Sequence, residues 1–450
     1  MEMKIPTVLL VVPRYFSTDL YGYIMPMGIL YVSAALKASG KARVLTLNLN
    51  HRDKDYEPLL ADIIAREKVD IVGCGGISGQ YIEIRPLFEA VRRVAPHVKI
   101  IAGGGMITAD AEVAMEAFGE LVDYGVIGEG EITVPELVEA IANDGDPAAI
   151  PGLIYRNAYG SFTITERRRD IEDLDSLPIP DYLSFDYDKY LATNGEHDES
   201  GVKYSPVAVI GGRSCKYACT FCFHPSGSRY RQRSLDSIFT EIEFLLKHFD
   251  VNYIALREEL FANDEERVLE FCRRVVAYPI VWSIQLRVDS VTQTIVDALA
   301  ASNCRYIFLG IESADNRILR SMRKHITIEQ VERALDMCIA AGLDTRSTII
   351  LGDEEETEES VERTLGWWLE HKKRSAIDLG LIIAFPGSTL YRHATASGKI
   401  PDRERFLAEG CPVVNLSKHL TFKQFRDVAD RITRYSGIQF NITDYESRNA

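Results

Sequence analysis

Gly211-Gly212-Arg213-Ser214-Cys215-Lys216-Tyr217-Ala218-Cys219-Thr220-Phe221-Cys222-Phe223-His224-Pro225 follows a strand-like run, Val207–Gly211, and opens a long alternation of strand-like and helix-like segments. Its pattern is C-x3-C-x2-C, which gathers three of the chain's eight cysteines within eight residues. Three thiolates on one short loop can hold three irons of a [4Fe–4S] cluster and leave the fourth without a protein ligand. A closed zinc site wants four ligands, and His224 is available as the fourth, so zinc is the competing reading. No further cysteine follows at the spacing of an electron-transfer ferredoxin. Phe221 and Phe223 suit a dry shell around a cluster. Cys74, Cys272, Cys304, Cys338 and Cys411 stand singly in apolar segments and read as small buried hydrophobes.

Downstream, strands are expected at Val207–Gly211, Tyr253–Leu256, Val281–Leu286, Tyr306–Leu309, Arg346–Leu351 and Ile377–Ala384. Helical patterns fill the gaps at Leu235–Phe249, Glu266–Val276, Val291–Ala301, Ile328–Ala341 and Ser360–His371. Six β/α units are too few for an eight-stranded barrel and suit a partial one, placed at 205–400. Upstream, a second alternation predicts strands at Val8–Val12, Val44–Leu49, Ile71–Gly73, Ile100–Ala102 and Tyr124–Ile127, with helical patterns between them. That is a doubly wound domain of Rossmann or flavodoxin-like kind, placed at 1–148. Residues 149–204 break the pattern and carry Pro178 and Pro180, so they read as an ordered linker; 401–450 read as a helical C-terminal cap. The fold class is therefore α/β, with two parallel sheets in sequence and a small helical end.

Composition narrows the function. The chain has 450 residues, 46% hydrophobic and 26% charged, which suits a soluble globular protein of about three domains. The net charge of −15 disfavours nucleic acid as an obligatory partner, because a phosphate backbone asks for a basic footprint. No apolar run is long enough to span a bilayer, and Met1–Pro6 do not open a signal peptide, so a cytoplasmic location without membrane contact is expected. Reduced, metal-binding thiols fit that setting better than disulfides.

The cysteine segment resembles the radical S-adenosylmethionine (radical SAM) superfamily, whose signature is C-x3-C-x-aromatic-C after the first strand of a partial (β/α)6 barrel. Here the matching residues are Cys215, Cys219, Phe221 and Cys222. The resemblance implies that the open iron binds S-adenosylmethionine. A reduced cluster then cleaves it to a 5′-deoxyadenosyl radical that takes hydrogen from a substrate. It also implies an external one-electron reductant such as flavodoxin or ferredoxin. Glu258 or Glu259, at the end of the second strand, holds the place where the family contacts the methionine amino group, although the usual glycine-glycine-glutamate form is absent. Ser283, Gln285 and Arg287 alternate toward one face of the third strand, and Arg287 is a partner for the methionine carboxylate or a plain strand-end arginine. Gly310-Ile311-Glu312-Ser313 resembles a segment whose Glu contacts S-adenosylmethionine. Thr345–Gly352, with Arg346, resembles the strand beside the adenine. Asp353-Glu354-Glu355-Glu356-Thr357 replaces the family's usual proline-glycine-glutamate turn, and Phe385-Pro386-Gly387-Ser388-Thr389-Leu390-Tyr391 resembles the close of strand six.

The N-terminal domain and the Asp175-Ser176-Leu177-Pro178-Ile179-Pro180-Asp181-Tyr182 segment resemble the cobalamin (B12)-binding branch of that superfamily. Ser78, Gly103, Gly104, Gly105, Gly128 and Glu129 fall at predicted strand ends, where a doubly wound sheet binds ligands. Glycines there either admit a corrin and its nucleotide tail or only make tight turns. The loop Pro13–Gly22 lacks the D-x-H-x-x-G motif, so cobalamin is expected base-off without a His ligand from that loop, and His51 reads as a surface histidine. The resemblance implies methylation of an unactivated carbon of a small molecule. Cobalamin-linked oxidative cyclisation or rearrangement, a methylthiotransferase-like enzyme and a non-catalytic metal- or cobalamin-binding protein are the alternatives.

Overall fold

A computed structural model describes residues 5–15, 23–197, 201–227, 229–258 and 260–445. The chain divides into two compact units. The first comprises 1–203 with 224–227 and 403–411; the second comprises 204–223, 228–402 and 412–450.

The first unit is built on a seven-stranded sheet. Its parallel strands are β1 (Thr7–Val12), β2 (Arg43–Asn48), β3 (Ile71–Gly75), β4 (Lys99–Gly103) and β5 (Tyr124–Val126), in the order β2-β1-β3-β4-β5. Every residue of β1 is buried, as a central strand covered on both faces requires, which is why Thr7-Val8-Leu9-Leu10-Val11-Val12 is an unbroken apolar run rather than an alternating one. This order is the flavodoxin-like one, and it reverses between β1 and β3, so the crevice for a ligand opens at their C-terminal ends.

The stretch 149–204 holds more structure than a linker. Strands β6 (Leu153–Arg156) and β7 (Phe162–Ile164) form a hairpin that extends the sheet antiparallel to β5. Its turn is closed by Asn157, whose carbonyl accepts the Gly160 N–H at 2.9 Å, with Gly160 in the left-handed region at φ 81°. Further on, the Asp181 carboxylate accepts the Ser33 hydroxyl at 2.5 Å, and the Asn48 amide donates to the Phe185 carbonyl at 2.9 Å. The two prolines shape a segment that lies against the domain and belongs to it.

The second unit carries six parallel strands in sequential order: β8 (Pro206–Val209), β9 (Tyr253–Leu256), β10 (Val281–Leu286), β11 (Cys304–Glu312), β12 (Asp344–Leu351) and β13 (Ala376–Leu381). Each connection crosses over through a helix, as parallel neighbours demand. One face of these strands, including Ile254, Ile284, Ile307, Leu309, Ile349 and Leu351, is buried. The alternate residues Gln285, Phe308, Arg346, Thr348 and Asp378 are half-buried or exposed, which makes theirs the lumen side of an open barrel. The C-terminal 50 residues do not form one cap. The helix Arg403–Ala408 packs on the helix Ala111–Phe118 of the first unit, and Arg403 pairs with Asp110 at 3.1 Å. The helix Phe422–Ser436 packs on β13 in the second unit.

Candidate functional site

The cysteine loop springs from the C-terminal end of β8 and is closed at its base by a two-residue antiparallel ladder, Gly212 with Gln232 and Arg213 with Arg231. A Cβ on Gly212 would stand 2.9 Å from the Arg231 carbonyl oxygen, so the ladder needs glycine there. Two backbone bonds tie the middle of the loop to the barrel: Thr220 N–H donates to the Met322 carbonyl at 3.0 Å, and Leu390 N–H donates to the Thr220 carbonyl at 2.9 Å. Phe223 lies on Gly387, where a Cβ would meet its ring at 2.4 Å; the glycine of the Pro386-Gly387-Ser388 close is there to admit this ring. None of Cys215, Cys219 and Cys222 is in a disulfide.

The surroundings of Cys219 favour its thiolate. The Cys222 thiol donates to Cys219 and lowers the Cys219 pKa, and the cations Lys324 and Arg287 lower it further; the same bond and burial raise Cys222. Arg287, expected at this rim, stacks on Tyr217 of the loop at 3.6 Å, donates to the Lys324 carbonyl at 2.7 Å and pairs with Asp289 at 2.9 Å. It is buried, not a solvated strand-end arginine. Lys324 in turn pairs with Glu312 at 2.6 Å, both nine-tenths buried. The Glu312 backbone sits at φ 67°, beyond a register shift in β11, and a Cβ on Gly310 would meet both members of the pair at 2.6 and 2.7 Å. Sequence reasoning found Glu312 but missed Lys324, which lies twelve residues on and carries no motif.

The remaining expected residues divide. Ser283 is buried and accepts the Tyr253 hydroxyl at 2.9 Å. Arg346 stacks on Tyr306 at 3.9 Å. Glu258 is buried and accepts the Tyr230 hydroxyl at 2.8 Å, while its second oxygen has no hydrogen-bond partner among the described residues. Burial pushes its carboxyl up to about 7. Phe221 is half-buried in the loop, and Glu259 lies outside the described residues. In the turn after β12 the acidic run is buried at its two ends, Asp353 and Glu356: Glu356 accepts the Gly352 N–H at 3.2 Å and the Ser360 hydroxyl, and burial raises it to about 7.

At the β1/β3 crevice of the first unit, much of the glycine content serves loop-on-loop packing. A Cβ on Gly75 would stand 2.8 Å from the Gly103 oxygen, and one on Gly104, at φ 82°, 2.8 Å from the Gly76 oxygen. Gly128, at φ 80°, faces open space, and Gly103 and Gly105 have nothing nearer than 3.6 Å. Ser78 is buried in the turn after β3. The Glu129 carboxylate accepts the Ile171 N–H at 2.6 Å. Exposed Ile24, Ile77 and Ile132 follow β1, β3 and β5 on the same edge. His51 is half-buried and bonded to the Tyr23 hydroxyl at 2.9 Å, not a surface histidine.

Both sites fit the groups the sequence implies. Three thiols on one pinned loop beside two cations suit a cluster that binds one iron per thiolate. Open backbone at Gly128 beside exposed isoleucines suits the flat apolar face of a macrocycle.

Comparison with known proteins agrees. The radical SAM superfamily model matches residues 209–367, and the B12-binding domain model matches residues 15–138. An uncharacterized methyltransferase of Pyrococcus horikoshii is 27% identical over 410 residues, covering 89% of this chain and 84% of its own. The anaerobic magnesium-protoporphyrin IX monomethyl ester cyclase of Rubrivivax gelatinosus is 28% identical over 79% of this chain, which spans 64% of the cyclase's length. Among solved structures, the radical SAM methyltransferase TsrM of Kitasatospora setae, with cobalamin and a [4Fe–4S] cluster bound, superposes with a TM-score of 0.72 at 21% identity. That superposition covers 87% of this chain and 76% of the other.

Two measurements test the barrel rim. Lys324→Met leaves the Glu312 carboxylate buried and unpaired, so denaturant unfolding should lose about 3–5 kcal/mol, much of it recovered in the Lys324→Met/Glu312→Gln double variant. Below pH about 4.5, Glu356 is protonated whether the chain is folded or unfolded. Between there and about 7 only the unfolded chain releases the proton, so stability falls as pH rises. Glu356→Gln should flatten that decline, by on the order of 3 kcal/mol, in unfolding curves taken across the window.

Proposed function

Because the chain belongs to the radical SAM superfamily and carries a B12-binding domain ahead of the barrel, and so is a methyltransferase-like, cobalamin-dependent radical SAM enzyme, we propose that it methylates an unactivated carbon of a small-molecule substrate. The observation that carries this reading is the pinned loop with Cys215, Cys219 and Cys222 beside Lys324 and Arg287. When bound, the [4Fe–4S] cluster, S-adenosylmethionine and cobalamin supply one-electron cleavage, hydrogen abstraction and a methyl carrier.

The chain's own residues do the rest. The three cysteines hold the cluster, and Phe221 and Phe223 limit its contact with water. Glu312, held by Lys324, and Arg287, held against Tyr217, present a carboxylate and a guanidinium at the rim where the amino acid part of S-adenosylmethionine binds. The unpartnered oxygen of Glu258 is a further acceptor near that rim, and Glu259 is the alternative. Ser283 and Arg346 line the lumen side. In the first unit, Ser78, Gly103, Gly104, Gly105, Gly128 and Glu129 form the cobalamin edge. An external one-electron donor, of flavodoxin or ferredoxin type, reduces the cluster. Oxidative cyclisation without methyl transfer is the second reading, favoured by the likeness to the cyclase.

Anaerobically reconstituted enzyme should hold about four irons and form 5′-deoxyadenosine from S-adenosylmethionine and dithionite. Cys219→Ala should lose both. With substrate and methyl-deuterated S-adenosylmethionine, labelled product together with S-adenosylhomocysteine marks methylation; 5′-deoxyadenosine alone marks cyclisation; neither product sinks the enzyme reading. Electron paramagnetic resonance of bound cob(II)alamin should show no nitrogen splitting from an axial ligand, and a split signal would refute base-off binding without histidine.

A further inference from the structure

The lumen side of the barrel carries one arginine, Arg257, to which the cluster site gives no role. Strand register sets Gln285 against Phe308 and Phe308 against Arg346, and Arg257 follows directly on β9 beside β10, so these four residues form one layer across adjacent strands. The Arg257 guanidinium lies over the Phe308 ring at 5.0 Å, and the Arg346 guanidinium over Tyr306 at 3.9 Å. Beneath them is a buried floor of Tyr253, Ala255 and Tyr306. Arg257 is half-buried, yet among the described residues its side chain has no hydrogen bond and no carboxylate partner. By contrast, Arg233 pairs with Glu241 and Arg287 with Asp289. A guanidinium taken partly out of water and set over a ring keeps its planar fork available to an incoming oxyanion. In a chain of net charge −15, Arg257 finds no carboxylate among the described residues, which leaves that fork open.

We propose that Arg257, held against Phe308, binds an oxyanion of the substrate, so that the substrate class is a small molecule bearing a carboxylate or a phosphate. This rests on the radical SAM reading above for the lumen being the substrate's place; the charge and stacking stand without it. Arg257 reads the anion, Phe308 supports the guanidinium from one side, and the exposed Gln285 beside it is a neutral hydrogen-bonding neighbour.

The test uses the reconstituted full-length enzyme and three probes, benzoate, phenyl phosphate and the neutral isostere benzamide, titrated by saturation-transfer NMR. At least one anion should bind fivefold or more tightly than benzamide. Arg257→Gln should erase that preference, and Arg257→Lys should keep part of it. The tighter of the two anions assigns carboxylate or phosphate. Equal binding of all three probes to the unaltered enzyme would overturn the proposal, and needs no variant to fold. A preference that survives in Arg257→Gln would overturn it too. So would an equal loss of S-adenosylhomocysteine affinity in that variant, which would hand the guanidinium to the methionine carboxylate. Absence of 5′-deoxyadenosine from the unaltered enzyme would strike the proposed function and leave probe binding to be judged separately.

Discussion

A buried ion pair between Glu312 and Lys324 organises the mouth of the barrel. Two charges withdrawn from water are tolerable only when each satisfies the other, so their positions are held tightly. To bring the carboxylate round, β11 shifts register and its last residue takes a left-handed backbone. To leave room, residue 310 is glycine. The cation that closes the pair also acts on Cys219, and the Lys324 carbonyl anchors Arg287, which stacks on the cysteine loop. A single pair thus links strand four, the helix after it and the cluster loop. Its loss would loosen all three.

The two parallel sheets solve the ligand problem in different ways. In the first unit, strand order reverses between β1 and β3, and the reversal itself makes a crevice edged by glycine turns and isoleucines. In the second, order is sequential and the sheet curls, so the lumen is the cavity and alternate residues of each strand line it. This difference explains the residue types. The crevice is mostly backbone and apolar, while the lumen is rich in arginine and aromatic side chains.

Most of both sheets was legible because parallel strands bury both faces or alternate, and either pattern is local. Tyr253–Leu256 and Val281–Leu286 fall where the sequence places them. The cysteine triplet stands out for the same reason, since all three thiols share one loop. What escaped depends on distant partners. Nothing near Lys324 announces Glu312, and nothing near Gly387 announces the Phe223 ring. The hairpin β6–β7 hid behind the prolines that follow it, although its Asn157-Ala158-Tyr159-Gly160 turn was visible. Glu129 stands out in sequence because it falls at a strand end, but that its carboxylate also receives the Ile171 amide depends on a partner 42 residues away.

The cysteine loop also has a place in time. Met322, Gly387 and Leu390 supply its backbone ties and the bed for Phe223, and all three lie far downstream of the cysteines. On the ribosome the thiols emerge long before the residues that fix them, and domains are built in order of synthesis. During that interval the loop has its three sulfurs but lacks those later contacts. The proposed seat for the cluster is therefore completed only when the barrel's last strand and the turn beyond it have been made. Metal delivered before then would meet a flexible thiol-rich peptide, whereas metal delivered after meets a finished socket.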